Sequence, residues 1–460
     1  MGLQKLTDRQ MQDFIRTGYV LVKPNLPDEF HQAIYRQTET VFETEFNPGN
    51  NLLPRIPALR KVFDDPVVNG ALTSVLGPNY FMWPHRHCHY NAPGTPAQNL
   101  HKDAGMHKSH RTRRIFALYY PQDTTLEMGP TAVLPGSYIY NTRPTDDPAA
   151  EVALVVEAGT VAIAEYDIWH GATENRSDKK RYMMKFLFDR IEEPTGPSWD
   201  SSGAAWSLAS DEPHRGLRTS QWAWHSGRAN GTQNGHSPQS RDAVADLIAA
   251  LSDDSEILAI DAAYALGEIG APAASALIEA LPGQDESSLT EGQTAKLGNV
   301  TQPELVRRNA SYALSAMGAA AVPALVEATT HPQWWVRQTA VEALGDIGLA
   351  AEDAIPALVE VLHNDSSDRV RPAAADALGT TSQSGSKAVS ALAQALAQDD
   401  AGVRNTASLA LARIGRHAQA AVPALQGVFE DENRYTRGHA VHALYRIGTP
   451  AARAALLDYL

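Results

Sequence analysis

The stretch "AGTVAIAEYDIWHGATENRSDKKRYMMKFLFDR" (158–190) joins two apolar runs across a polar turn. Val, Ile, Tyr, Met and Phe dominate the runs, and Gly, Asn, Ser and Asp fill the turn, so the pattern is strand, turn, strand. His170 ends the first run and Arg181, eleven residues later, opens the second. Upstream, "YFMWPHRHCHYN" (80–91), "RRIFALYY" (113–120), "PTAVLPGS" (130–137) and "EVALVVEA" (151–158) repeat the motif of a short strand bounded by turn residues. Evenly spaced short strands predict a sandwich, barrel or double-sheet jelly roll. Ahead of them, "LTDRQMQDFIRTGYVLVKPNL" (6–26) opens with a Thr7/Gln10 capping box, runs amphipathically through Phe14 and Ile15, and stops at Gly18 before a β-rich run.

The C-terminal half is built differently. "VPALVEATTHPQWWVRQTAVEALGDIG" (322–348), "IPALVEVLHNDSSDRVRPAAADALG" (355–379), "VSALAQALAQDDAGVRNTASLALARIG" (389–415) and "VPALQGVFEDENRYTRGHAVHALYRIG" (422–448) start 33, 34 and 33 residues apart. Two less regular copies precede them, at 244–270 and, after an insertion near 283–302, ending at 306–318. Each unit reads as two short helices with an Asp/Asn-rich turn between them and a Gly at the end. The expected architecture over 241–460 is an α-solenoid of about six helix pairs. It resembles HEAT repeats of the short, Ala-rich type also found in phycobilisome lyases. Arg307, Arg337, Arg371, Arg404 and Arg437 recur at the repeat period, with Ala259 in the corresponding place of the first unit. They are expected to bond turn carboxylates or carbonyls near Asp365 and Asp399. Between the halves, residues 201–240 are rich in Gly, Ser, Asn and Pro and read as a linker. Trp206, Trp222 and Trp224 imply that part of it is packed.

The chain has 460 residues and a net charge of −14. Residues 1–200 hold 21 Lys+Arg against 24 Asp+Glu, so most of the acidity lies C-terminally. That argues against a phosphate backbone as the partner of the C-terminal half and favours a basic or neutral protein, with a solvated acidic surface as the alternative. One cysteine, Cys88, permits no internal disulfide, the N-terminus carries no signal-like apolar stretch, and no apolar run reaches membrane-spanning length. A cytoplasmic location with no membrane contact is the expectation.

The segment "QNLHKDAGMHKSH" (98–110) contains His101-x-Asp103, two side chains that an extended backbone points to one face. The same spacing recurs at His363-x-Asp365 inside a repeat turn, where it is accidental. With His170, the first pair forms two His and one carboxylate, the facial set that non-haem Fe(II) oxygenases use while leaving open coordination positions. Such an iron needs an electron-donating co-substrate; 2-oxoglutarate chelates through its keto-acid end and its distal carboxylate needs a cation. Arg181 at the head of an apolar strand suits that role, with Arg176, Lys179 and Lys180 as alternatives in the turn. His85, His87 and His89 alternate on one strand face and form a rival metal set, although "NAPGTPAQ" (91–98) lacks the glutamate a cupin site would add. One or two of them, His89 in particular, would otherwise line the substrate pocket. "HKSHRTRR" (107–114) gathers cations, and Arg111 and Arg113 are candidates for recognising an anionic substrate; a solvated loop, or pairing with the acidic solenoid, is the alternative.

These features stand in the order found in the phytanoyl-CoA dioxygenase family of Fe(II)/2-oxoglutarate oxygenases, which residues 6–190 resemble: "FIRTGYVLV" (14–22), "HKD" (101–103), "EMGPTAVLPGSY" (127–138), "AGTVAIAEYDIWHGATENRS" (158–177), then Arg181. The resemblance implies a double-stranded β-helix (a cupin-like jelly roll), Fe(II) on His101, Asp103 and His170, 2-oxoglutarate anchored by Arg181, and O2-dependent hydroxylation of an unactivated C–H bond of a small molecule. Many relatives carry a hydroxylated residue two positions after the distal histidine; here Ala172 stands there, followed by Thr173 as a substitute co-substrate contact. Halogenating relatives replace the ligand carboxylate with a small residue, so Asp103 favours hydroxylation. The expected organisation is an oxygenase at 1–200, a linker at 201–240 and a HEAT solenoid at 241–460 for protein interaction or dimerisation. Two alternatives stand beside it: an oxygenase acting on a protein or carrier-bound group recruited by the solenoid, and a scaffold whose oxygenase domain has decayed.

Overall fold

The computed structural model describes residues 2–104, 108–145, 147–207, 213–228, 241–281, 296–382, 386–398 and 400–459. They fall into two units: the described residues within 1–107, 112–209 and 290–300 form the first, and those within 108–111, 210–289 and 301–460 form the second. Two short segments thus depart from the contiguous domains read from the sequence.

The first unit holds two antiparallel sheets with flanking helices. Its strands are β1 (Tyr19–Val22), β2 (Phe81–Asn91), β3 (Arg114–Tyr119), β4 (Thr131–Val133), β5 (Val152–Ala153), β6 (Val161–Glu165), β7 (His170–Ala172) and β8 (Arg181–Asp189). They order as β1-β6-β3-β8-β2 in one sheet and β5-β4-β7 in the other. Helix α1 (Asp8–Thr17) begins with the Thr7/Gln10 capping box and ends at Gly18 in the left-handed region, as its sequence predicts. Helices α2 (Asp28–Glu45) and α3 (Pro66–Leu76) flank the larger sheet. Phe63 packs 4.5 Å from Phe186 and 5.3 Å from Phe188, ring centre to ring centre, against one face of β8.

The opposite face of β8 is polar. Asn91 faces Arg181, His89 faces Met183, His87 faces Lys185, and on the other side Lys185 faces Leu118. Residues paired across antiparallel strands share a face. One inner surface therefore carries His87, His89, Asn91, Arg181, Lys185 and, by alternation from Leu118, Phe116. All but His87 and His89 of these are buried.

The second unit is helical. Glu256–Ile269, Gln302–Ala316, Trp334–Ile347, Val370–Thr381, Ala401–Ile414 and Arg434–Ile447 are the successive second helices of the repeats. The recurrent arginines form a ladder that runs from one repeat to the turn of the next. Arg337 grips Asp365 with two bonds of 2.6 and 2.8 Å, Arg371 reaches Asp400 at 2.7 Å and Arg404 reaches Asp431 at 2.6 Å. Arg307 pairs with Glu304, and Arg437 donates to the carbonyls of Asp431 and Glu432. Asp399 lies outside the described residues; Asp400 takes the role expected nearby. Asp365, thus occupied, identifies the second His-x-Asp as a structural turn. Trp222 and Trp224 are buried in a helix, Arg215–His225, and Trp206 lies 4.7 Å from the Arg16 guanidinium in the first unit. Residues 229–240 of the expected linker and 283–295 of the insertion lie outside the described residues. Among the described residues no single helix is long and apolar enough to cross a membrane.

Segment 108–111, counted with the helical unit, is held there at each residue. Lys108 is 3.3 Å from Glu342, Ser109 donates to Asp346 at 2.5 Å, His110 bonds the Tyr264 hydroxyl at 3.0 Å, and Arg111 lies 3.8 Å from Asp346.

The Asp365 side chain is 3% exposed and that of Asp400 is 43% exposed. Arg337→Met strands a buried carboxylate and should destabilise the helical unit by about 3 kcal/mol. Arg371→Met removes an exposed pair and should cost less than about 1 kcal/mol. Urea unfolding of the two full-length variants measures the difference, and equal losses would contradict the burial argument.

Candidate metal centre

His170 is the first residue of β7, and residues 98–101 run antiparallel beside it. The amide of His101 donates to the carbonyl of His170 at 2.9 Å, the amide of His170 returns the bond at 3.0 Å, and the amide of Gln98 donates to Ala172 at 2.8 Å. This bridge sets the imidazoles side by side, their centroids 4.7 Å apart. Asp103 follows two residues later on the same face, its Oδ2 3.9 Å from His170 Nε2. One donor atom from each of His101, Asp103 and His170 lies within 4.8 Å of the others. Among the described residues no other set of three such side chains does so; His85, His87 and His89 instead pack ring against ring, the first pair edge-on and the second tilted, with centroids 4.7 and 4.4 Å apart.

The tautomers fit a metal. His101 Nδ1 lies 3.0 Å from the Asn99 carbonyl and His170 Nδ1 lies 2.9 Å from the Ile168 carbonyl. A carbonyl only accepts, so both Nδ1 atoms carry the proton and both Nε2 atoms present lone pairs, the outer-shell arrangement typical of metal-bound imidazole. Burial drives the His170 pKa down to about 4, with Lys185 adding to the effect, so this ligand is neutral at pH 7. Burial alone would raise the Asp103 carboxyl, but Lys185 and the two histidines outweigh it and hold it well below the usual carboxylate range. His170 and Asp103 are therefore deprotonated and ready for a hard or borderline divalent ion.

Lys185, which the sequence reading did not single out, bonds Asp103 directly. Its ammonium also lies 4.8 Å over the Phe116 ring. A signal existed: a lone lysine inside "RYMMKFLF", four residues from Arg181 and hence on the same strand face.

Arg181 is 1% exposed. Its Nε and Nη2 donate to the Gly129 carbonyl at 3.1 and 2.9 Å, and Asn91 Nδ2 joins them there at 3.1 Å. Nη1 is buried without a protein partner. Gly129 has φ +68, and a Cβ there would lie 2.4 Å from Asn91 Nδ2 and 2.6 Å from the Thr173 carbonyl, so only glycine lets this carbonyl reach the guanidinium. A buried guanidinium with two donors fixed and one left over fits the distal carboxylate of 2-oxoglutarate. Of the alternatives, Arg176 pairs with Glu174 and Lys180 lies near Glu39, both at the surface. Thr173 donates its hydroxyl to the Pro130 carbonyl at 3.0 Å and sits one residue out of phase with His170 and Ala172. His89 points a buried, unpartnered Nε2 into the same face; burial and the neighbouring His87, Lys185 and Arg181 push its pKa far below the ordinary histidine value. The rim cations are placed elsewhere. Arg113 pairs with Glu193 at 2.5 Å, and Arg111 with Asp346 in the helical unit. Both cations are committed to carboxylates, Arg111 to one of the helical unit and Arg113 to one of its own unit, and neither joins the metal-site residues.

A metal would compete with Lys185 for Asp103. Lys185→Met should therefore lower the stability of the metal-free protein by about 2 kcal/mol, less than the full cost of stranding a buried charge because the Asp103 carboxylate is only half-buried. It should also enlarge the rise in Tm on adding Co(II). A metal-induced rise no greater than that of the wild type would contradict this role for Lys185.

Residues 14–183 match the family model for phytanoyl-CoA dioxygenase (PhyH), and 294–379, 355–428 and 389–460 match HEAT repeats. Among curated proteins the chain is 28% identical over 198 residues to dioxygenase cdmA of Talaromyces verruculosus, spanning 39% of this chain and 66% of that protein. It is 28% identical over 97 residues to dioxygenase trt7 of Aspergillus terreus, spanning 19% of this chain and 34% of that protein. The chain thus spans about two thirds and one third of the length of these relatives. Among solved structures, the non-haem α-ketoglutarate-dependent carbocyclase SnoK of nogalamycin biosynthesis aligns with 19% identity and a TM-score of 0.35 over 42% of this chain and 88% of its own. HygX from Streptomyces hygroscopicus, solved with nickel and 2-oxoglutarate, aligns with 16% identity and a TM-score of 0.35 over 44% and 95%. The chain carries a phytanoyl-CoA dioxygenase domain at its N-terminal end and HEAT repeats at its C-terminal end.

Proposed function

We propose that the first unit is an Fe(II)- and 2-oxoglutarate-dependent hydroxylase whose two sheets form a double-stranded β-helix. The overall reaction would be substrate C–H, 2-oxoglutarate and O2 giving substrate C–OH, succinate and CO2. The observation that carries the reading is the converged His101/Asp103/His170 set, tied through the Asp103–Lys185 pair to the face of β8 that also carries Arg181, whose Nη1 has no protein partner. Bound Fe(II) would supply O2 activation and the oxidative decarboxylation of the co-substrate. His101 Nε2, His170 Nε2 and the Asp103 carboxylate would hold it. Arg181 would take the distal carboxylate through Nη1 while Gly129 prevents the guanidinium from turning. Ala172 offers no hydroxyl and that of Thr173 is committed to Pro130, so Arg181 would carry this contact alone among the residues considered for it. Asp103 fills the ligand position that a halide would need, which supports hydroxylation.

The substrate side is polar. Lys185, freed from Asp103 when a metal binds there, would leave a buried cation beside neutral His89, and an anionic small molecule suits that pairing. The HEAT repeats present an extended surface suited to a protein partner or a second copy. A cytoplasmic location suits a ferrous centre and the single buried thiol of Cys88, whose pKa burial pushes up to about 12.

Anaerobic addition of Fe(II) and 2-oxoglutarate should give a visible metal-to-ligand charge-transfer band. Asp103→Ala should abolish it, and Arg181→Met should weaken 2-oxoglutarate binding by about tenfold to a hundredfold, the loss of one charge-assisted contact. An iron-loaded wild type with no band and no 2-oxoglutarate-dependent succinate would refute the reading.

A further inference from the structure

We infer that residues 296–300, which the sequence places inside the helical repeats, are a strap belonging to the metal centre that positions both of its ligand-bearing segments. This rests on the metal reading above. The strap meets each segment at a defined point. The Lys102 amide, between ligands His101 and Asp103, donates to the Lys296 carbonyl at 3.0 Å. Two residues on, Gly298 lies flat on Trp169, the residue before His170. A Cβ at Gly298 would meet Trp169 Cη2 at 2.7 Å and the Arg143 amide nitrogen at 3.1 Å. Its φ of +77 favours glycine, and the 3.0 Å bond from the Val300 amide to the Gly298 carbonyl closes a tight turn that starts at Gly298.

The surface the strap covers is rigid. Trp169 is fully buried with Leu100 and Leu134 in one apolar cluster, so the residues before both histidines share a core. Lys102 is also fully buried; its ammonium lies 3.3 Å from the Tyr140 carbonyl and 5.8 Å over the Trp169 ring. A displaced strap would leave the Lys102 amide and one face of Trp169 without partners, and the whole ligand pair would loosen together. Lys296 also brings a charge that Lys185, on the Asp103 carboxylate, feels. Metal affinity depends on how firmly the outer contacts hold the ligands, and removing such a contact typically costs tenfold to a hundredfold.

The test uses the full chain and Co(II) alone, read by its visible d–d absorption and by chelator competition. Gly298→Val should weaken Co(II) binding tenfold to a hundredfold, while far-UV circular dichroism keeps the helical signal. Gly49→Val, another positive-φ glycine with open space around its Cβ position, should bind as the wild type does. Hydrogen exchange supplies the second readout: the Lys102 amide should be protected in the metal-free wild type and lose protection in Gly298→Val. A wild-type Lys102 amide that exchanges like a free loop would overturn the strap, whatever the variant does. So would a folded Gly298→Val protein with wild-type cobalt affinity. A wild type that takes up no cobalt would overturn the metal centre itself, and this assignment with it.

Discussion

Two backbone hydrogen bonds, exchanged between His101 and His170, are the constraint on which the candidate site depends. They join a loop to the edge strand of the smaller sheet in a single register. A slip of one residue in the 98–101 segment would send the His101 imidazole to the face opposite His170. With the register set, the Nδ1 atoms fall onto the Asn99 and Ile168 carbonyls, the lone pairs turn inward, and Asp103 arrives on the same side by strand alternation. What the fold supplies is preorganisation, with the ligand set already converged.

The second constraint is charge. The chain carries a net −14, yet the inner face of β8 buries two cations, Arg181 and Lys185, with one carboxylate, Asp103, beside them. Burying unmatched cations is costly unless something compensates them. Asp103 compensates Lys185, and the Gly129 carbonyl partly compensates Arg181. The remaining positive potential is what a dianionic co-substrate would neutralise. The helical unit uses arginine in the opposite way: Arg337, Arg371, Arg404 and Arg437 are spent on the carboxylates or carbonyls of turns and Arg307 on Glu304 of its own helix, where they are structural.

Much of this was legible in the sequence, for identifiable reasons. His101, Asp103, His170 and Arg181 could be read because period-two alternation and position at strand ends are local properties. The helical repeats could be read because a 33-residue period survives variation in any one copy. Lys185 obeys the same alternation rule from Arg181 and was missed only because an apolar run draws attention to its apolar members. Other features had no local signature. The carbonyls of Asn99, Ile168 and Gly129 are main-chain atoms that any residue would offer. Contacts such as Lys102 with Lys296 join positions nearly two hundred residues apart, and pairing of that range does not appear in a periodicity. For the same reason the cations of "HKSHRTRR" looked available as a rim until Glu193 and Asp346 were seen to engage Arg113 and Arg111.

The most direct test of the central claim is a crystal structure of the full chain grown anaerobically with Mn(II), a redox-silent stand-in for ferrous iron, and 2-oxoglutarate. The account predicts one metal ligated by His101 Nε2, His170 Nε2 and Asp103, with Lys185 released from the carboxylate and the co-substrate's distal carboxylate on Arg181 Nη1. A metal held through Nδ1, a metal among His85, His87 and His89, or a co-substrate bound away from Arg181 would contradict it.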